Sequence, residues 1–270
     1  MKRFNMLIAA LATIGLGAQA APAFAAPNWV GSADYTMAPG AIGDEEVVGP
    51  FSTYDFGSGG VALLQNVSGS LYNGYYQSYV TQHELAGNPV LAPKLNGTYE
   101  LTAAAQFTEN LTLVSVSTAE ITINPGGVFA LYFDTNVDRS FSGDSGFTNG
   151  APILVGTITG GSGAVTTFGS SAIGVADVTI QITSYDTNVF SPDTIAGADG
   201  IFTLRYNFQG DAPLTGSVTS VQGVPVAGNL LFAADGNLTL AIPEPSSYAM
   251  LLAGLGFVGF ASRRKLNAGA

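Results

Sequence analysis

IFTLRYNF, residues 201–208, sets Phe202, Leu204, Tyr206 and Phe208 at alternate positions, with Thr203, Arg205 and Asn207 between them. A period of two puts the first set on one face of a β-strand and the second set on the other. The same alternation recurs in Val178, Ile180 and Ile182 against Thr179, Gln181 and Thr183. It recurs again in Phe129, Leu131 and Phe133, and in Leu238, Leu240 and Ile242. Leu111 and Leu113 are followed by Val114 and Val116, a switch of parity that predicts a bulge or bend. Gly, Ser and Thr interrupt these runs roughly every ten residues, as turns between short strands do. The body therefore reads as all-β, an antiparallel β-sandwich or jelly roll with one wet face per sheet. One domain over residues 26–241 suits a fold of this kind. Residues 156–174, rich in Gly, Ser and Thr, read either as a flexible loop or as a pair of short edge strands. No helical periodicity stands out in the body apart from residues 71–86.

The two ends differ from the body. Lys2 and Arg3 precede an apolar run over residues 7–18, and Ala23-Phe24-Ala25 offers a small-residue cleavage site. That order predicts a secretory signal peptide over residues 1–25, with a cut after Ala20 as the alternative. At the other end stands AIPEPSSYAMLLAGLGFVGFASRRKLNAGA, residues 241–270. Pro243 and Pro245 exclude a helix interior, so a helix must begin after them, with Ser246 or Ser247 as its N-cap. Residues 248–261 then predict a short hydrophobic transmembrane helix. At ~1.5 Å per residue it is about 21 Å long, against a hydrocarbon core of about 30 Å. Arg263, Arg264 and Lys265 stay cytoplasmic by the positive-inside rule. Lys2 and Arg3 stay there too, which leaves everything between them outside the inner membrane.

Charge divides the same way. Of eight Lys and Arg, five lie in the two ends. The body retains Lys94, Arg139 and Arg205, three cations against the nineteen acids, a net of −16 when Glu244 of the tail triplet is counted with it. Such a surface repels phosphate backbones and excludes nucleic acid as a partner. It attracts divalent cations. Cysteine is absent, which removes disulfides, thiolate chemistry and Cys-based metal sites.

Catalytic signatures are missing. His83 is the one histidine, so an H-E-x-x-H zinc site is impossible. No G-x-S-x-G elbow exists, since GGSGA at 160–164 ends in Ala. No lysine lies between Lys94 and Lys265, which rules out a P-loop there. Acids are plentiful, but nothing marks a pair for glycoside hydrolysis. The expectation is a protein that is not an enzyme, without a resident cofactor unless Ca²⁺ binds.

Two stretches invite a binding role. YFDTNVDRSFSGDSGF, residues 132–147, sets Asp134, Asn136 and Asp138 at alternate positions, with Asp144 beyond. Alternating oxygen ligands on a tight loop suit Ca²⁺. Arg139 stands where an EF-hand needs Gly, and no Glu closes the loop, so a polar turn between strands is the competing reading. LYNGYYQSYVTQHEL, residues 71–85, clusters Tyr72, Tyr75, Tyr76 and Tyr79. Their spacing suits one face of a helix, while Gly74 and the rings themselves suit a strand. Exposed, the rings are carbohydrate contacts that stack on sugars; buried, they are core with bonded hydroxyls.

Pro243-Glu244-Pro245, the hydrophobic run 248–261 and Arg263-Arg264-Lys265 together resemble the PEP-CTERM sorting signal. That resemblance implies a Gram-negative bacterium that makes exopolysaccharide. It also implies an exosortase, a membrane processing enzyme that recognises the tail at residues 242–270 and removes it. The precursor would be held transiently in the inner membrane, and the product released to the cell surface. The body, through LYNGYYQSYV, LNGTYELTAAAQFTENL, and FALYFDTN with GFTNGAPILVGTI, resembles the flocculation-associated PEP-CTERM proteins over residues 51–240. This second resemblance implies an extracellular protein that helps cells and exopolysaccharide cohere into flocs or biofilm. It carries no catalytic residues.

Overall fold

The computed structural model describes residues 27–168, 171–195, 199–209 and 218–242. The signal segment 1–25, Pro243-Glu244-Pro245, the helix expected over 248–261 and Arg263-Arg264-Lys265 all lie outside them. Along the chain the strands are β1 (Gly31–Asp34), β2 (Val47–Phe51), β3 (Thr53–Phe56), β4 (Val61–Ser68) and β5 (Leu71–Leu85). There follow β6 (Asn88–Val90), β7 (Glu100–Leu113), β8 (Thr118–Asp134), β9 (Ala151–Phe168) and β10 (Ser171–Tyr185). Last come β11 (Phe190–Ser191), β12 (Asp199–Gln209), β13 (Ser220–Val221), β14 (Val224–Pro225) and β15 (Leu230–Leu240). Among the described residues the one helical element is the 3-10 turn Tyr35–Met37.

The all-β expectation holds; the two-sheet sandwich does not. The main sheet runs β12-β10-β9-β8-β7-β5, continues through β3 and β4 to β15, and β15 pairs back onto β12. β3 and β4 are two halves of one stave. Tyr54 in β3 pairs with His83 and Leu238, whereas Ala62 in β4 pairs with Tyr76 and Phe232. The result is an eight-stranded closed antiparallel barrel. Closure leaves the barrel without the free edges of a sandwich.

Period-two patterning fills it. Phe202 of β12 meets Phe56, Tyr76 and Phe129 at ring-centroid distances of 5.7, 4.9 and 5.2 Å. Those three rings come from β3, β5 and β8, so side chains from around the wall meet at the axis, as a small barrel requires. Each such ring buried contributes roughly 1.5–3 kcal/mol of transfer free energy. Ala176, Val178, Ile180 and Ile182 point inward from β10, while Asp177, Gln181 and Thr183 are exposed. The apolar interior differs from the polar lumen of a membrane channel barrel, and the outer face mixes polar residues with exposed Ile173, Val175 and Ile201. Among the described residues no helix is long and apolar enough to cross a membrane.

Two ambiguous stretches become long strands. Residues 156–168 and 171–174 belong to the long paired strands β9 and β10, neither a loop nor short edge strands. Residues 71–85 form β5 and not a helix. The parity switch after Leu113 is the turn joining β7 to β8, where the Val114 and Ser115 N–H groups reach the Thr118 carbonyl.

One end of the barrel is plugged. β1 pairs with β2 and β11 in a small sheet that lies over it. Trp29 packs edge-on against Phe51 and Phe190 and donates from Nε1 to the Pro192 carbonyl at 3.1 Å. Both described ends of the domain meet here: Asn28 bridges Ala241, and the Ile242 N–H donates to the Pro27 carbonyl. The hairpin turns at 69–70 and 114–117 lie at the opposite end.

Candidate functional site

Strand geometry divides the four tyrosines of β5. Tyr76 points into the barrel and is fully buried, and Tyr72 packs against the same core. Tyr75 and Tyr79, of opposite parity, lie on the outer wall. The cluster on one face that a helix would have made does not exist.

Tyr79 is already occupied. The Arg139 guanidinium lies 3.7 Å from its ring centroid, a cation–π contact. Arg139 Nη1 also donates to Glu100 Oε2 at 2.5 Å, and Glu100 Oε1 accepts the N–H groups of Asp138 and Arg139. Burial pushes the Glu100 carboxyl up, and Arg139 with the two N–H groups opposes that shift without cancelling it. Arg139, out of place for a calcium loop, is thus the residue that clamps residues 135–148 to the barrel wall.

The four candidate calcium ligands go separate ways. Asp134 Oδ1 accepts the N–H and side-chain amide of Asn136, an Asx-turn. Both Asp138 oxygens take the Asn149 amide. Asp144 reaches the β13–β14 hairpin, where it accepts the N–H groups of Gln222 at 2.8 Å and Gly223 at 2.7 Å, plus the Gln77 amide. Burial disfavours its charge, but these donors and the Ser220 hydroxyl outweigh burial and hold the carboxyl below its usual range. Among the described residues no three His, Asp or Glu side chains converge for a metal.

Asp144 secures a lid segment. Gln222 and Gly223 have φ of 52° and 79°, the two positive values of a tight hairpin turn. Gln222 lies across the outer wall and donates from Nε2 to the carbonyls of Tyr76 (2.7 Å) and Ala105 (3.2 Å). Val221 joins Val61 and Leu63 in a small outer core, with Tyr75 and Phe141 packed on it.

Beside this lid runs a groove of about 300 Å³ bordered by Asn73, Tyr75, Gln106 and Thr108. Its far wall is a bulge in β8. Thr108 pairs with Asn124 and Gln106 with Val128, so Phe107 alone faces Pro125, Gly126 and Gly127. Two glycines permit this pinch. A Cβ on Gly74 would stand 2.4 Å from the Phe107 ring, and one on Gly127 would stand 2.5 Å from the Gln106 carbonyl. A second hollow of about 360 Å³ continues past Gln106 to Gln77, Asp144 and Gln222. The tyrosine cluster pointed to β5, but the bulge and the Gln222 lid were missed. Their signals were Pro-Gly-Gly at 125–127 inside an alternating run, and Gln-Gly between valines at 221–224.

His83 is remote from this face. It is enclosed in the plugged end, its Nε2 is 2.7 Å from the Tyr35 hydroxyl, and burial lowers its pKa to about 3. Its side chain has no exposure to solvent among the described residues.

Comparison with known proteins bears on the end of the chain. Residues 241–265 match the family model described as the PEP-CTERM protein-sorting motif. No curated protein and no solved structure matches the chain. The motif begins at Ala241, where β15 has just closed the plugged end, and it marks an exosortase-targeted protein exported to the cell surface.

Proposed function

We propose that the protein is a non-catalytic component of the extracellular matrix, delivered through its sorting tail, that helps cells cohere with exopolysaccharide in flocs or biofilm. The observation that carries this reading is the sorting motif at 241–265. The barrel adds support. Its tail departs from the plugged end, next to residue 27, so a tethered precursor presents its wall and its opposite hairpin turns away from the bilayer. Contacts that are weak singly hold cells together when many copies share one surface.

Deletion of the gene tests the reading. Flocs should disperse while exopolysaccharide is still made and released, and the full chain should restore cohesion. A chain ending at Ala241 should restore it poorly, for want of routing. Intact-mass analysis of the extracellular protein should find Arg263-Arg264-Lys265 removed. A deletion that alters polysaccharide length and leaves cohesion intact would favour a matrix hydrolase.

A further inference from the structure

We infer that the groove beside the β8 bulge binds a neutral polysaccharide chain, with Tyr75 as its stacking surface; this deepens the matrix reading and rests on it. Register places Tyr75 between Leu63 of β4 and Gln106 of β7. One flank of the ring packs on the small outer core, and the other borders the groove. A ring supported on one side and open on the other is a rigid platform for the C–H face of a sugar.

The polar groups beside it suit hydroxyls. Asn73 has no side-chain partner among the described residues and offers both a donor and an acceptor. Gln106 donates to Gln222 Oε1 at 2.9 Å, which leaves its own carbonyl oxygen to accept. Thr108 Oγ1 accepts from Asn124 Nδ2 at 3.2 Å and keeps its proton to donate. Amides and hydroxyls that each give and take one bond match sugar hydroxyls, which do the same.

Charge selects the class of sugar. Among the described residues no ionic side chain borders the groove. Lys94 Nζ is spent on the carbonyls of Asp44 and Glu45, and Arg139 on Glu100 and Tyr79. Arg205 stands on β12, across the barrel from β7 in strand order. A polymer of uronic acids would approach a body of net negative charge and meet no cation on the groove among the described residues. A neutral chain meets no such barrier, and the second hollow, which shares Gln106 and is lined by Gln77, Asp144 and Gln222, adjoins the groove.

The test is affinity electrophoresis of the full mature chain in native gels containing dextran, galactomannan or laminarin, with alginate as the anionic comparator. At least one neutral polymer should retard the protein, equally in low and in 0.5 M salt, and alginate should not. Tyr75→Ala should weaken retardation at least tenfold, and Tyr75→Phe should retain it. Asn73→Ala, which removes a half-buried side chain outside the apolar core clusters, should weaken it about threefold with an unchanged melting temperature. Retardation by alginate alone, retardation by none of the neutral polymers, or binding that survives both Tyr75→Ala and Asn73→Ala overturns the inference. Cohesion assays with Asn73→Ala and Tyr75→Ala separate the two readings. Binding lost with flocs intact leaves the groove assignment standing and removes its link to cohesion. Flocs lost on gene deletion but unchanged binding in the groove variants leaves the matrix role standing and removes the groove.

Discussion

The hydroxyl of Tyr35 lies 2.7 Å from Nε2 of His83, inside the plug that closes one end of the barrel. The two residues are far apart in sequence, one in the 3-10 turn and the other near the end of β5. Phe51 and Tyr54 pack their rings on the imidazole at 4.7 and 5.1 Å. The enclosure favours neutral imidazole.

An acid limb in stability follows. Burial lowers the His83 pKa from 6.5 to about 3. Its contribution is fully present above 6.5 and is lost as pH falls through that window, by about 4 kcal/mol at pH 3. His83→Phe should flatten the slope between pH 6.5 and 3 in urea denaturation, with Tyr54 still beside the Tyr35 hydroxyl at 3.2 Å.

Glu109 tilts stability the other way. It is fully buried, its strand partners are Tyr72 and Ile123, and neither carboxylate oxygen has a hydrogen-bond partner among the described residues. Burial raises its pKa from 4.5 to about 7. The folded state is therefore favoured below 4.5, and stability falls as pH rises to about 7, by roughly 3 kcal/mol. Glu109→Gln should be more stable than the parent at pH 8 by an amount of that order and equal to it at pH 4. Melts at the two pH values decide this.

Arg139→Ala should cost about 3–5 kcal/mol, because it strands the buried Glu100 carboxylate. Glu100→Gln combined with Arg139→Met should recover most of the loss, since the amide oxygen still accepts the N–H groups of residues 138 and 139. Hydrogen exchange should show residues 135–148 opening in the single variant and protected in the double one.

Calcium at millimolar concentration should move the melting temperature no more than magnesium does. Asp134, Asp138 and Asp144 each serve a different local donor set. Asp144→Ala should instead destabilise without any metal, by about 2 kcal/mol, through loss of charge-assisted bonds to residues 222 and 223. Differential scanning calorimetry with each cation separates the two effects.

Much of the chain was legible without coordinates. Alternation in Phe202–Phe208 and its counterparts determined that the body is β, because a period of two is a local property of the backbone. The sorting tail was legible for a similar reason: its recognition elements are consecutive in sequence, and the family model matches them there. Tertiary structure alone decided the rest. An alternating strand buries one face equally well in a sandwich or in a barrel, and only the pairing of β12 with β15 closes the sheet. Register decided that Tyr76 fills the core while Tyr75 borders a groove, since neighbours in sequence go to opposite faces. The fates of Asp144, Arg139 and His83 were decided by partners distant in sequence: Gln222, Glu100 and Tyr35. Side-chain chemistry states what a residue is able to bond, but the fold determines what it meets and whether water reaches it.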